Sequence, residues 1–567
     1  MARHLITSAL PYINGVKHLG NLVGSMLPAD VYARFLRQQG HEVVAICATD
    51  EHGTPAELAA EEAGLPVADY CREQWAIQKD LGERFGLSWD HWGRSSSHHN
   101  HELTQLIAHQ LEEHGFIEER ETEQVYSPTD GRFLPDRYVI GTCPHCGYPR
   151  ARGDQCENCT RLLDPTDLIE PRSAISGATD LEVRATKHLY LLQSKMADRL
   201  RTWIDERGDW PLLTRSIAYK WLDEGLEDRS ITRDIGWGVP VDRPGFEGKV
   251  FYVWFDAPIA YIAATKEWAE DVAGLGEEGW KRWWTTETAG DVTYTQFMAK
   301  DNVPFHAVMF PATLLGAEGG WKLVDYIKSF NWLTFYGGKF STSQHRGVFM
   351  DAALEILPSD QWRYHLIANA PESSDASFTW ESLVQSVNKD LAGSYGNLAN
   401  RVLGFTAKNA GAAVPAVSGS SPARDDFVRL IGELVATYTG HMEDKDLRKA
   451  MTVLRELWSA GNVFWNAQEP WKLKDDPEAR AVVISTALHH LRLLAILGAP
   501  VLPDTSAALL RAFGIAELPA WPTDVAAEMA ALTPGAPIEV PPVLFTKVED
   551  DQLAEWKQRF GSGDEPA

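Results

Sequence analysis

The 567-residue chain carries 53 Lys and Arg against 79 Asp and Glu, a net charge of −26, with 44% hydrophobic and 23% charged residues. That balance excludes extended disorder and indiscriminate coating of nucleic acid or anionic membrane. At about 150 residues per domain, the length predicts roughly three or four domains.

The first 50 residues read as strand, loop, helix, strand. His4 to Leu10 is a short β-like run, and Pro11 to Gly20 is a loop broken by Pro11, Asn14, Gly15 and Gly20. Leu22 to Arg37 has helical periodicity, with Pro28 expected to kink it or mark a join. Val43 to Cys47 is a second apolar run of parallel-strand type. Strand, helix and strand at this spacing predict a doubly wound α/β sheet. From about residue 117 to 235, short strands, turns and a cysteine cluster replace the long helices, as in an inserted module. Lys249 to Trp254 is expected to resume as a strand, and Phe297 to Phe310 as strand and loop. From about 376 to 530 the pattern is helical, with Phe427, Leu430, Ile431, Leu434 and Val435 at i, i+3, i+4, i+7 and i+8. Gly411 to Pro422 is a linker between two of these helices. The most apolar stretch, Val482 to Val501, is interrupted by His489, His490 and Arg492, short of the roughly 20 uncharged residues of a membrane span. The mixed N-terminus and the six cysteines, too few for a disulfide scaffold, predict a cytoplasmic protein without a membrane partner.

Two loops point to phosphate chemistry. His18-Leu19-Gly20-Asn21 lies between the first strand and the first helix, where an α/β sheet binds ligands. A helix N-terminus offers free N–H groups to a phosphate, Gly20 permits close backbone approach, and His18 can donate to a phosphate oxygen. The second loop is Gly337-Gly338-Lys339-Phe340-Ser341-Thr342-Ser343, suited to closing over a triphosphate. Either loop alone would be ordinary. The cysteines Cys143, Cys146, Cys156 and Cys159 form two Cys-x2-Cys knuckles nine residues apart, the spacing of a four-thiolate Zn²⁺ site. Four ligands close the coordination sphere, so one structural Zn²⁺ is expected. Cys47 and Cys71 read as core residues.

Together the two loops resemble the His-Ile-Gly-His and Lys-Met-Ser-Lys-Ser signatures of class I aminoacyl-tRNA synthetases, in the right order. Three further runs narrow the resemblance to the methionyl-tRNA synthetase family: Ala9 to Gly15 (ALPYING), Ala48 to Thr54 (ATDEHGT) and Tyr252 to Tyr261 (YVWFDAPIAY). Lys300 to His306 (KDNVPFH) supports it, and the resemblance spans residues from about 4 to 530. It implies a Rossmann-like catalytic domain with a zinc-knuckle insertion, followed by an all-α helical-bundle domain. The implied boundaries are 1–116 and 236–330 for the catalytic halves and 117–235 for the insertion. The signature loop and stem-contact region takes 331–375, the anticodon-binding helices 376–530, and a partly disordered extension 531–567.

The resemblance also implies roles. Ala9, Leu10, Tyr12, Trp254, Ala257, Pro258, Tyr261 and His306 line a methionine pocket, with Asp50 holding the ammonium. His18, Gly20, Asn21, Asp301, Lys339, Ser341 and Thr342 bind ATP, which arrives with Mg²⁺, and His18, Asn21, Asp50, Lys339 and Thr342 serve catalysis. Asn397, Arg401, Pro470 and Trp471 read the anticodon of initiator and elongator tRNA(Met), consistent with RNA sequence being read in single-stranded loops. The sequence departs from the family pattern in three places: Asn21 stands for the second signature His, Thr342 for the second signature Lys, and Ala299 for a Gly. Lys339 with Arg346 is expected to form the cationic clamp that Thr342 cannot, with His345 nearby. The implied reaction is two-step aminoacylation by a monomer. A cysteine- or leucine-type enzyme, a non-enzymatic RNA-binding paralogue and a zinc-knuckle nucleic-acid scaffold stay open beside it. Residues 382–474 hold 11 Lys and Arg against 9 Asp and Glu, so the acidic balance is carried outside the helices expected to meet RNA.

Overall fold

The computed structural model describes residues 2–154, 156, 158, 159, 161, 163–342 and 346–562. Its centre is a parallel sheet of β1 (Arg3–Ser8), β2 (Glu42–Thr49), β3 (His91–Arg94), β4 (Val292–Ala299) and β5 (Tyr326–Phe330), in the order β5-β4-β1-β2-β3. Neighbouring residues along a strand enter different cores, because side chains alternate across a sheet. Leu5, Val44 and Ile46 face one core, and Ile6, Ala45 and Cys47 the other. The order changes direction at β1, which sits between β2 and β4. The gap beyond the C-terminal ends of β1 and β4 is therefore a switch-point crevice.

The first crossover is a continuous helical run from Leu19 to Gln38, in which Leu22–Met26 is π-wound. Pro28 sits just beyond that turn and has no N–H to give. The wider winding ahead of it sends the Leu27 N–H to the Leu22 carbonyl, which is the join that the proline predicts.

Three expectations are corrected. Of the expected strand Lys249 to Trp254 only Val250–Phe251 is strand; a helix runs from Val253 to Glu267, so Trp254 and the Ala257, Pro258 and Tyr261 that follow lie on a helix. That helix is buried almost all round, so its continuous apolar run reads like a buried strand. The insertion is also less strand-rich than expected. Beside the Ile117–Ser127 and Glu182–Leu191 hairpin it contains helices Ala197–Asp205 and Leu212–Glu224, which pack on the sheet core. The third correction is the C-terminal extension. Asp550–Phe560 is a helix whose Trp556 is buried against Trp380, and Phe545 and Val548 join the same core; the Trp380 indole N–H donates to the Gly561 carbonyl at 3.1 Å. Residues 563–567, the end of the extension for which partial disorder is expected, lie outside the described residues.

The helical domain is built on Pro422–Glu443, Leu447–Gln468 and Pro477–Gly498. Phe427, Ile431 and Val435 are buried as their spacing predicts, whereas Leu430 is exposed. Pro477–Gly498 is long and apolar enough to cross a membrane, but 89% of its apolar window is buried inside the fold. Arg363 joins the domains. It is fully buried, donates to Asp30 at 2.7 Å on the first crossover helix, and donates to the carbonyls of Val501, Pro500, Phe85 and Gly86.

Candidate active site

A cleft of about 770 Å³ opens at the switch point. It is lined by Ala9, Leu10 and Tyr12 beyond β1, by His18, Gly20 and Asn21 at the start of the crossover helix, by Trp254 and Asp301, and by Lys339 and Thr342. Thus the two signature loops, 339 − 18 = 321 residues apart in the chain, meet in one space. The contact between them is the His18 ring stacked on Phe340 at 4.9 Å. Phe340 occupies a slot that a Cβ on Gly347 would fill, and Gly347 has φ of +112°, a conformation that suits glycine.

His18 and Asn21 cap each other. The Asn21 backbone N–H donates to His18 Nδ1 and the His18 N–H donates to Asn21 Oδ1, both at 3.2 Å. Because Nδ1 accepts, a neutral His18 holds its proton on Nε2, free to donate into the cleft. Burial, reinforced by Lys17, drives its pKa down to about 3, so the ring is neutral at physiological pH. Gly20 is required here: a Cβ would come within 3.0 Å of the His18 ring. Ala299 faces Gly24, its Cβ 3.4 Å from where a Gly24 side chain would begin, an ordinary contact distance.

The floor of the cleft is set by β2. Pro11 to Ile13 is laced to Asp50, whose N–H donates to the Pro11 carbonyl while its own carbonyl accepts from the Ile13 N–H, both at 2.9 Å. The two adjacent carboxylates differ. Glu51 is fully paired, held by the Arg94 guanidinium at 2.8–3.1 Å and by the hydroxyls of Thr49 and Ser96. Asp50 is only 6% exposed, and its Oδ1 has no hydrogen-bond partner among the described residues. Burial raises its pKa well above the usual carboxylate range, and the nearby Asp256 and Glu51 raise it further, with Lys17 opposing. A buried carboxylate with an open oxygen is suited to receive a cationic ligand group. Behind it, Tyr261 donates to His306 Nε2 at 2.8 Å, while His306 Nδ1 donates to the Asn302 carbonyl at 2.9 Å. Burial holds His306 neutral, with its pKa near 4. Asp50, Ala257, Pro258, Tyr261 and His306 are all buried and none of them lines the cleft, although Tyr12, Trp254 and Phe305 do.

The clamp expected of Lys339 and Arg346 is not what the structure assembles. Ser341 and Arg346 pair backbone to backbone at 3.0 and 3.1 Å, and the Arg346 side chain lies where a Cβ on Gly338 would collide with it. Arg346 therefore lines an adjoining cavity of about 1500 Å³, which shares Asn14, Pro55, Arg137 and Thr342 with the cleft, and Ser341 lines neither. His345 lies outside the described residues. Two residues that sequence reasoning missed belong to the cleft. Trp332 donates to Asp301 Oδ1 at 3.3 Å and receives the Lys300 and Lys339 ammonium groups over its ring at 4.4 and 5.1 Å. Its position just beyond the C-terminal end of β5 was the available signal. The other is Lys17, beside His18.

In the insertion, the four Sγ atoms of Cys143, Cys146, Cys156 and Cys159 lie within 4.8 Å of one another, a set that could hold a metal ion. The closest pairs are 3.6 and 3.9 Å apart. These are too long for disulfides and match the roughly 3.8 Å edge of a tetrahedron with Zn–S of about 2.3 Å. Cys47 and Cys71 are buried core residues. In the helical domain, Asn397 and Arg401 stand on one exposed helix face. Arg401 donates to Asn466 at 2.6 Å and lies 6.0 Å from the Trp471 ring, which is 38% exposed. Pro470 is buried, so it packs rather than presents.

A family model for class I tRNA synthetases (M) matches residues 4–403, and a model for the anticodon binding domain of methionyl tRNA ligase matches residues 414–565. The methionine--tRNA ligase of Dinoroseobacter shibae is 59% identical over 99% of both chains, and that of Streptomyces avermitilis is 58% identical over the full length of each. Among solved structures, Mycobacterium tuberculosis methionyl-tRNA synthetase in complex with methionyl-adenylate matches with a TM-score of 0.77 at 25% identity, covering 96% of this chain and 100% of that one.

Proposed function

The chain belongs to the methionine--tRNA ligase family of class I tRNA synthetases, and on that premise we propose how its residues divide the work. The enzyme activates methionine with ATP and passes the methionyl group to the terminal ribose of tRNA(Met). One observation supports the assignment of the site: the cleft that brings the His18 and Lys339 loops together is also lined by Tyr12, which bridges to Asp50, a buried carboxylate with an open oxygen. A triphosphate and an amino-acid ammonium call for those two features.

The methionine ammonium meets Asp50, and its arrival favours the ionised carboxylate that burial disfavours. Tyr12, Trp254 and the Tyr261–His306 pair wall the thioether, which suits aromatic surroundings. Asp301, held by Trp332, takes the ribose. The Nε2–H of His18, the Asn21 amide and Lys339 meet the phosphates, with Mg²⁺ accompanying ATP. The methionine carboxylate attacks the α-phosphorus, pyrophosphate leaves, and a ribose hydroxyl of tRNA then attacks the acyl carbon. The protein contributes positioning and charge stabilisation, with no covalent enzyme intermediate. The four thiolates hold a structural Zn²⁺, and Arg401, Asn397 and Trp471 face the anticodon.

Methionine-dependent ATP–pyrophosphate exchange tests the reading. Exchange with methionine and none with leucine or cysteine is expected. Absence of exchange from folded, metal-loaded protein would leave an RNA-binding paralogue as the better description.

A further inference from the structure

The two signature loops bring little charge to the cleft, which Arg137 and Arg229 line from the insertion, Arg137 at 3.6 Å from Asp154 and Arg229 over the Trp221 ring. His18 is neutral and Thr342 carries no charge. Arg346 is turned into the adjoining cavity, and Lys339 rests over Trp332. A departing pyrophosphate develops negative charge that preorganised cations stabilise. A second lysine nevertheless stands in these loops, immediately before His18. The Lys17 side chain lines the cleft while only 5% exposed, and its ammonium donates to Asn14 Oδ1 at 3.1 Å. Its backbone is fixed, since the Lys17 carbonyl accepts the Met350 N–H at 2.9 Å and the next residues pair with Val348 and Phe349. Thr342 stands beside the same loop, with its methyl 3.9 Å from where a Gly15 side chain would begin. A lysine ammonium held in a nearly closed space by one neutral amide is incompletely compensated.

We propose that Lys17 is a phosphate-binding catalytic cation: its ammonium turns from Asn14 to the triphosphate oxygens and stabilises the departing pyrophosphate beside the uncharged Thr342. The inference rests on the methionine-activation reading above. It forms no covalent bond; the ammonium donates hydrogen bonds to oxygens that gain charge as the α–β bond breaks.

The titratable groups whose fields couple to Lys17 are Asp50 and His18. Burial, partly opposed by Asp50, draws the free lysine down to about 7. A triphosphate would draw a proton onto it, so kcat/KM for ATP in the wild type is expected to fall as pH rises above about 7, because that ratio reports the free enzyme.

The experiment is ATP–pyrophosphate exchange from about pH 6 to 9 on the wild-type chain, Lys17→Met, Lys17→Arg and the double variant Lys17→Met with Thr342→Lys. Lys17→Met is expected to lose about 100-fold in kcat/KM for ATP, to keep KM for methionine within about threefold, and to lose the alkaline limb. Lys17→Arg, always charged, should retain at least about a tenth of the activity and also lack that limb. A lysine at 342 should restore at least about tenfold to the Met variant. The proposal is overturned by Lys17→Met within about threefold of wild type, by an alkaline limb that persists in it, or by a double variant no better than the single one. If Lys17→Met does not fold, Lys17→Arg decides: a retained alkaline limb overturns the proposal. A wild-type chain without methionine-dependent exchange would overturn the parent reading instead.

Discussion

The floor of the cleft and the outer end of the helical domain are built on opposite electrostatic plans. At the floor, Asp50 is sealed under the sheet edge with an oxygen left open, while its neighbour Glu51 is saturated by Arg94 and two hydroxyls. At the outer end, Arg401 is already paired with Asn466 and lies beside an exposed Trp471. The first arrangement keeps a carboxyl group short of partners, its ionised form disfavoured, until a small cationic ligand completes it. The second satisfies its groups with exchangeable, solvent-side contacts that a large partner can replace at little cost. A cleft can hold such a deficit because the surrounding core is large enough to enforce it.

The strongest way to break this comparison is Asp50→Asn. Methionine activation should fall at least about 1000-fold, since a charge-assisted contact to the ammonium is lost in a dry site, while thermal stability should rise. The sign follows from linkage. The folded pKa of Asp50 lies above its unfolded value, so the ionised state destabilises the fold, and Asp50's contribution worsens as pH climbs through the interval between the two. Asp50→Asn should flatten that part of the stability profile. In the wild type, kcat/KM for methionine should climb over the same interval as Asp50 ionises. A variant that loses stability along with activity would show Asp50 to be structural. Next in size is Trp556→Ala, which removes a buried indole that docks the last helix on Trp380. It should cost about 3 kcal/mol in denaturant unfolding. An unchanged midpoint would mean that the last helix stands apart from the core.

Much of this was legible in the sequence, and the failures share a cause. The βαβ start and the four-cysteine set follow from local spacing, which survives folding unchanged, whereas the meeting of His18 with the distant Lys339 loop was implied by the family resemblance. Val253–Glu267 was misread because a helix buried all round has no polar face to set its period. Asp550–Phe560 was missed because its one buried aromatic, Trp556, acquires meaning only from Trp380, distant in the chain. Lys17 was missed and Arg346 misjudged for the complementary reason. Sequence puts both near phosphate-binding loops, but an antiparallel pairing of Ser341 with Arg346 sends one away, and the strand-like pairing of residues 17–19 with 348–350 walls the other in.

A milder test separates the insertion from the cleft. Removing the metal with a chelator, or replacing Cys146 with Ser, should abolish stoichiometric zinc by elemental analysis and reduce tRNA charging by about 30-fold, the range seen when metal sites are perturbed. Pyrophosphate exchange should stay within about threefold, because the four thiolates belong to the inserted module and none lines the cleft. Equal loss of both activities would mean that the knuckle supports the sheet rather than the approach of RNA.

The smallest effect is expected at the outer end. An exposed indole contributes about 1–3 kcal/mol when a base stacks on it. Trp471→Ala should therefore raise KM for tRNA roughly tenfold, near the low end of that range, because the free indole already has the Arg401 side chain beside it and must exchange that contact for the base. Arg401→Gln probes the other member of the pair and, in combination, should give less than the sum of the two single effects, since the residues share one contact. Exchange activity and unfolding midpoint should be untouched by either. If Trp471→Ala instead lowers the unfolding midpoint, the indole is a packing residue like its buried neighbour Pro470, and the contrast between a sealed floor and a solvent-side reading surface fails at the end where it is most easily tested.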